Sequence, residues 1–280
     1  MFPKFFMLMP PKTGSTAMWY MLSQHPELSP AKTKEVGFIN KIRPRQIHDN
    51  PVEVRQKYST NWDKGSNGLK FEITPGYAVP KNIDRIINLA PNKNKLKMIF
   101  VTRNPLDRFI SHYIFRRAKK EIILNKRLHE RFLSDIDETF LNHWNKQLSV
   151  NKARCDSKFF LPNKNNIKRW CSEINNIYLM RGLYINSINL MRDKLTAEQI
   201  LLLKYEDMKE NHQRVLNKIF DFLEVDRMKI ENYKTNQSWF CKRYYDAGSE
   251  LTTRHKQFVK DYYLEANIRL FQETNIDYRV

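Results

Sequence analysis

Cysteine is scarce: Cys155, Cys171 and Cys241 are the only three in 280 residues, and none stands in a Cys-x-x-Cys pair. A disulfide framework and a thiolate zinc site are thereby excluded, and a reducing compartment is the default. Long hydrophobic runs are missing too. No stretch approaches the roughly 20 apolar residues that a membrane-spanning helix needs, and the apolar opening from Phe5 to Pro10 is too short for a secretory signal. The seven histidines show no His-Glu-x-x-His or similar ligand spacing, so no metal site is expected. No internal repeat, low-complexity tract or convincing linker breaks the chain. The expectation is a single domain over residues 1–280, soluble, without a membrane span, and located in a microbial cytoplasm, although a trimmed luminal domain of a Golgi protein would read the same.

Acidic residues are the other shortage. Asp and Glu number 30 against 49 Lys and Arg, a formal charge of +19, while 41% of the chain is apolar. Enough apolar surface is present to bury one continuous core, and the charge points to a polyanionic partner: nucleic acid, acidic glycan, anionic membrane or phosphorylated cofactor.

Apolar runs suited to buried strands occur at Lys4–Met9, Lys97–Thr102 and Ile200–Tyr205, with a shorter one at Leu69–Glu72. Helical patterns follow at Ala17–Leu22, at Lys81–Leu89, from Pro105 through most of 106–148, from about Cys171 to Lys194, through Ile219–Leu223, and from about His255 to Glu273. The polar segment Asn151–Asn166 reads as a mobile excursion. Strands alternating with helices predict an α/β fold with a central, mainly parallel sheet flanked by helices.

In such sheets ligands bind beyond the carboxyl ends of the strands. After the first strand comes Pro11-Lys12-Thr13-Gly14-Ser15-Thr16, with an ammonium, several hydroxyls and the N–H groups of a helix start, a set that cradles a phosphate or similar oxyanion. It is not a Walker A loop, because Lys12 precedes the glycine and no Walker-type acidic partner follows the next strand. The alternative reading is an ordinary capped helix start. Arg103 ends the later strand, and Ser111 lies about two turns into the following helix, so a guanidinium fork and a hydroxyl can face a second phosphate. Equally, Arg103 can pair with Asp107 and Ser111 can be a tolerated helix serine.

Pro11–Thr16 resembles the 5′-phosphosulfate loop of sulfotransferases, and the run from Arg103-Asn104-Pro105 to Ser111-His112-Tyr113 resembles their 3′-phosphate motif. Lys34-Glu35-Val36-Gly37-Phe38, Thr74-Pro75-Gly76-Tyr77, Arg181-Gly182-Leu183-Tyr184 and Tyr205-Glu206-Asp207 are similar to the heparan-sulfate-type branch. So, more weakly, are Trp239-Phe240-Cys241 and Thr253-Arg254-His255. The resemblance implies a nucleotide-kinase-like sulfotransferase fold. It also implies in-line, metal-free transfer of a sulfuryl group from 3′-phosphoadenosine 5′-phosphosulfate (PAPS, leaving as PAP) to a hydroxyl or amine of a carbohydrate. Glu35 matches the family's general base and Lys12 its stabiliser of developing charge. Lys12, Thr13, Gly14, Ser15 and Thr16 match the 5′ contacts, and Arg103 and Ser111 the 3′ contacts. Trp239 and Phe240 match the adenine-contacting turn, and Thr253 and Arg254 the cofactor-closing loop.

Departures are Gly37 where the branch has histidine, Ile73 where it has lysine before Thr-Pro, Thr252 and Thr253 before Arg254, and Cys241 with no nearby disulfide partner. The implied partner is an acidic or neutral glycan. Competing readings are sulfation of a small molecule, lipid or protein tyrosine, a nucleotide-binding scaffold without catalysis, and a basic nucleic-acid-binding protein. No nucleic-acid module supports the last of these.

Overall fold

The computed structural model of the chain describes residues 2–63, 65, 67–118, 179–231 and 251–279. In order, its elements are β1 (Phe5–Leu8), α1 (Ser15–Leu22), β2 (Leu28–Pro30), α2 (Phe38–Lys41), α3 (Pro44–Asp49), α4 (Pro51–Ser59), β3 (Leu69–Glu72), α5 (Pro80–Leu89) and β4 (Lys97–Thr102). There follow α6 (Pro105–Ala118), α7 (Tyr184–Lys194), β5 (Ile200–Lys204), α8 (Tyr205–Glu210), α9 (His212–Leu223) and α10 (Thr253–Thr274). The helix expected from 119 to 148, the excursion at 151–166, the three cysteines, and Trp239 and Phe240 lie outside the described residues. None of the described helices is long and apolar enough to cross a membrane.

The chain divides into two compact units, Met1–Arg103 with Ser187–Thr235, and Asn104–Asn186 with Asn236–Val280. The first holds the whole sheet, whose five strands run in the order β2-β3-β1-β4-β5 with every pairing parallel. This is the expected parallel α/β architecture. Strand β1 is central because it is apolar on both faces, as a strand covered on each side by helices must be. Phe5, Met7 and Met9 join Ile99, Val101 and Leu203 in one cluster that Met18, Leu216, Ile219 and Phe220 cover. Phe6 points the other way, with ring centres of Phe2, Tyr77 and Tyr58 at 5.6, 6.4 and 6.5 Å.

Two differences from the sequence reading have local causes. Residues 38–59, given no structure by their periodicity, form three short helices. Pro44 and Pro51 each open a helix at its first position, where a missing N–H costs nothing. Tyr205, expected to close a strand, starts α8 instead.

In the second unit, Asn104 caps α6 by accepting from the N–H groups of Leu106 and Asp107 at 3.0 and 3.2 Å. Thr252 caps α10, with His255 in the return half of the capping box. Of the helix expected from about Cys171 to Lys194, the described part has a 3₁₀ turn at Met180–Gly182, and α7 begins at Tyr184. Gly182 lies against the ring of Tyr263, where a Cβ would come within 2.7 Å of the phenol, so the turn depends on glycine there.

Phe6→Ala, at a position with no solvent exposure, is expected to cost about 3–5 kcal/mol. The measure is the urea midpoint at unchanged slope; a loss below about 1 kcal/mol would mean that the neighbouring rings close the cavity.

Candidate functional site

Because all five strands are parallel, their carboxyl ends share one edge of the sheet. Across that edge the loop after β2 carries Glu35, β3 ends in Glu72, the loop after β1 carries Lys12, β4 leads into Arg103 and β5 runs into Tyr205. Strand order reverses on either side of β1, the position at which open α/β sheets bind ligands.

The loop after β1 is braced from within. The Thr13 hydroxyl is buried and donates to the Pro10 carbonyl at 2.7 Å, and the Thr13 N–H donates to the same oxygen at 3.3 Å. Thr13 therefore shapes the loop with its side chain. Gly14 follows at φ 85 as the N-cap of α1; it has no side chain to cap with, and the first turn contains no acidic residue. The first-turn N–H groups of Ser15, Thr16 and Ala17 thus receive no side-chain cap, and with the helix dipole behind them they form an anion cradle.

Arg103 ties the two loops together. Its Nη1 donates to the Lys12 carbonyl at 2.7 Å, and its guanidinium lies 4.7 Å over the ring of Tyr205. The Tyr205 ring also closes on Gly14, where a Cβ would meet Cε2 at 3.0 Å. Lys12, Gly14, Arg103 and Tyr205 are one cluster, and Tyr205 is the member that sequence reasoning did not assign to the site. A tyrosine at a strand end carries no local signal of the glycine it covers.

Four non-glycine residues among those described have left-handed backbones: Lys12 (φ 73), Glu35 (φ 63), Glu224 (φ 60) and Asn275 (φ 58). Glu224 and Asn275 are the C-caps of α9 and α10, where that conformation is ordinary. Lys12 and Glu35 have no such reason. Each costs about 1 kcal/mol or more and persists only where its surroundings impose it, a pattern that concentrates at functional sites.

Glu35 is exposed and pairs with Lys34. Two residues on, Gly37 (φ 66) donates its N–H to Glu72 Oε1 at 3.3 Å and to Thr74 Oγ1 at 3.2 Å. Glu72 is buried and also accepts from the hydroxyls of Tyr58 and Thr74. Burial pushes its carboxyl up from the usual range, against the pull of these hydrogen bonds, and pushes the phenols of Tyr58 and Tyr77 up as well. Glu72 too escaped the sequence reading.

Ser111, Thr253 and Arg254 belong to the second unit. Ser111 lies partly buried on α6, three residues after the fully buried Arg108, whose Nη2 donates to the Tyr263 hydroxyl at 3.2 Å. The neighbouring Arg181 is held below the ordinary guanidinium range by its own burial and then by the charge of Arg108. Thr253 and Arg254 are exposed in the first turn of α10.

Gly14→Ala is expected to cost about 1–3 kcal/mol, from the left-handed backbone and from the tyrosine ring. Thermal melts of Gly14→Ala, Tyr205→Ala and the double variant separate the two causes: the double variant should recover only the steric part. A neutral Gly14→Ala would mean that the loop is not held in this conformation.

A family model of the sulfotransferase domain matches residues 2–239. The chain is 22% identical, over 99% of its length, to the membrane-associated sulfotransferase kil1 of Dictyostelium discoideum. It is 23% identical, over 96% of its length, to the human bifunctional heparan sulfate N-deacetylase/N-sulfotransferase 1. It spans 66% of the first relative and 29% of the second. The fold is that of the crystal structure of a sulfotransferase from Alicyclobacillus acidocaldarius, with a TM-score of 0.63 at 17% identity and all of both chains covered. The uncapped anion cradle after β1 and the family match over most of the chain agree, and the chain belongs to the sulfotransferase domain family.

Proposed function

We propose that the chain is one catalytic domain that sulfates a carbohydrate hydroxyl or amine, with PAPS as donor, Glu35 as general base and no metal. The observation that carries this reading is that the two left-handed residues without a helix-capping reason are Lys12 and Glu35, the lysine and the glutamate to which the family resemblance gives the chemistry. The residues present suit the donor: a glycine-started helix with an uncapped first turn, a lysine, and an arginine reaching into the same loop are an oxyanion donor set. PAPS, when bound, supplies the sulfuryl group and an already phosphorylated leaving group.

The work of the protein is then electrostatic and positional. An acceptor hydroxyl is a poor nucleophile until a carboxylate within hydrogen-bond reach takes its proton, and the Glu35 carboxylate has that role. Lys12 balances the negative charge that develops on the leaving oxygen. Ser15 and Thr16, with the α1 N–H groups, hold the 5′-phosphate. The family resemblance gives the 3′-phosphate to Arg103 and Ser111, closure over the nucleotide to Thr253 and Arg254, and the adenine to Trp239 and Phe240. A carbohydrate acceptor draws support from the relative named as a heparan sulfate N-sulfotransferase and from the +19 charge, which attracts an acidic polymer in a salt-dependent way.

The test is incubation with ³⁵S-labelled PAPS and a panel of N-desulfated heparin, heparan sulfate, chondroitin, simple phenols and tyrosine peptides. Label is expected in a glycan; label in phenols or peptides alone would overturn the carbohydrate reading. Glu35→Gln should lower turnover by about 10²–10⁴-fold with PAP affinity nearly unchanged, and near-normal turnover would remove Glu35 as the base. By calorimetry, Arg103→Ala should weaken PAP far more than adenosine 5′-phosphate; equal losses would show that Arg103 does not read the 3′ end.

A further inference from the structure

Glu72 ends β3 with 1% of its surface exposed, on the face opposite Phe71, where an apolar side chain would fill the same space without desolvating a charge. Every tether of that carboxylate leads to one stretch of chain. Gly37 donates its N–H directly to Oε1 at 3.3 Å. The ring of Phe38 stacks on Tyr58 at 4.9 Å and 16°, and the Tyr58 hydroxyl donates to Oε2. Ile39 donates its N–H at 3.0 Å to the Tyr77 hydroxyl, a phenol that burial, and then the charge of Glu72, holds above its ordinary range. Of three consecutive residues, Gly37 is thus tied to the buried carboxylate directly and Phe38 through Tyr58, while Ile39 is held by a second tyrosine that feels the same charge. Two residues before Gly37 stands Glu35, left-handed, with its own side chain paired to the ammonium of Lys34. Such a pairing does not fix the direction of a side chain, whereas an anchored backbone two residues away does.

We infer that Glu72 is the positioning residue of the candidate base: it sets the left-handed turn Glu35–Gly37 on the end of β3 and thereby aims the Glu35 carboxylate. Thr74 has a supporting part, since its hydroxyl donates to Glu72 while its oxygen accepts a second share of the Gly37 N–H. The consequence for activity rests on the reading of Glu35 as the base; the control of the turn does not.

The two claims are tested apart. Amide hydrogen exchange by mass spectrometry on Glu72→Gln should show exchange over residues 36–39 at least ten-fold faster, with β1, β4 and α9 unchanged. Tyr77→Phe removes one hydroxyl and keeps the ring, and should speed exchange at Ile39 alone, so the test survives if Glu72→Gln fails to fold. Unchanged exchange at 36–39 in both variants would overturn the proposal. The second arm reads PAP released from PAPS with water as the acceptor, in a double-mutant cycle. Glu72→Gln should lower release about ten-fold or more when Glu35 is present and less than two-fold in the Glu35→Gln background, with PAP affinity unaltered in both. An equal loss in both backgrounds would make Glu72 a general scaffold residue and overturn its positioning role. Normal release by Glu35→Gln would instead remove Glu35 as the base, leaving the exchange result to decide what Glu72 controls.

Discussion

At the end of the central strand, Lys12 adopts a backbone conformation that its side chain disfavours, and Arg103 holds it there by donating to its carbonyl. Much of the site depends on that bond. It joins the loop after β1 to the end of β4, and it lays the guanidinium on the Tyr205 ring that closes against Gly14. A parallel sheet covered on both faces makes such an arrangement possible, because only at its carboxyl edge do several loops emerge side by side with unsatisfied backbone groups.

The legible part of this architecture is the part that periodicity encodes. β1, β3, β4 and α5 appear where their apolar patterns place them, since burial of whole faces leaves a repeat in the sequence. Strand β2, with three residues, and helices α2 to α4 leave no such mark. Pro44 and Pro51 stand at the first positions of two of these helices, which are too short to show a repeat. The break before α7 hides behind Gly182, whose reason is a tyrosine far along the chain.

The site divides in the same way. Lys12, Gly14 and Glu35 are recognisable because they lie in short motifs; Glu72 lies in none, and the motif that holds Tyr205 gives no sign of the Gly14 and Arg103 that the fold sets beside its ring. Thr13 is a subtler case. In the sequence it is one of three hydroxyls available to a phosphate, whereas in the fold its proton goes to the Pro10 carbonyl and the residue serves as a brace. Counting donors in a loop overstates what the loop offers outward, since a tight turn must first satisfy itself.

The same accounting explains why a chain with so large an excess of positive charge keeps a carboxylate buried beside its site. A lysine at the end of β3 could only donate and would offer the Gly37 N–H nothing, and an apolar residue would leave that N–H with Thr74 alone. An acceptor with several lone pairs can collect the hydroxyls of Tyr58 and Thr74 together with a main-chain N–H. The cost is a carboxyl whose ionised form is disfavoured by burial, and the return is the N–H of left-handed Gly37 held on the end of β3. A surface charge excess acts on charged molecules from a distance, but it holds no loop in place. That takes a local, buried network such as the one around Glu72 at the sheet edge.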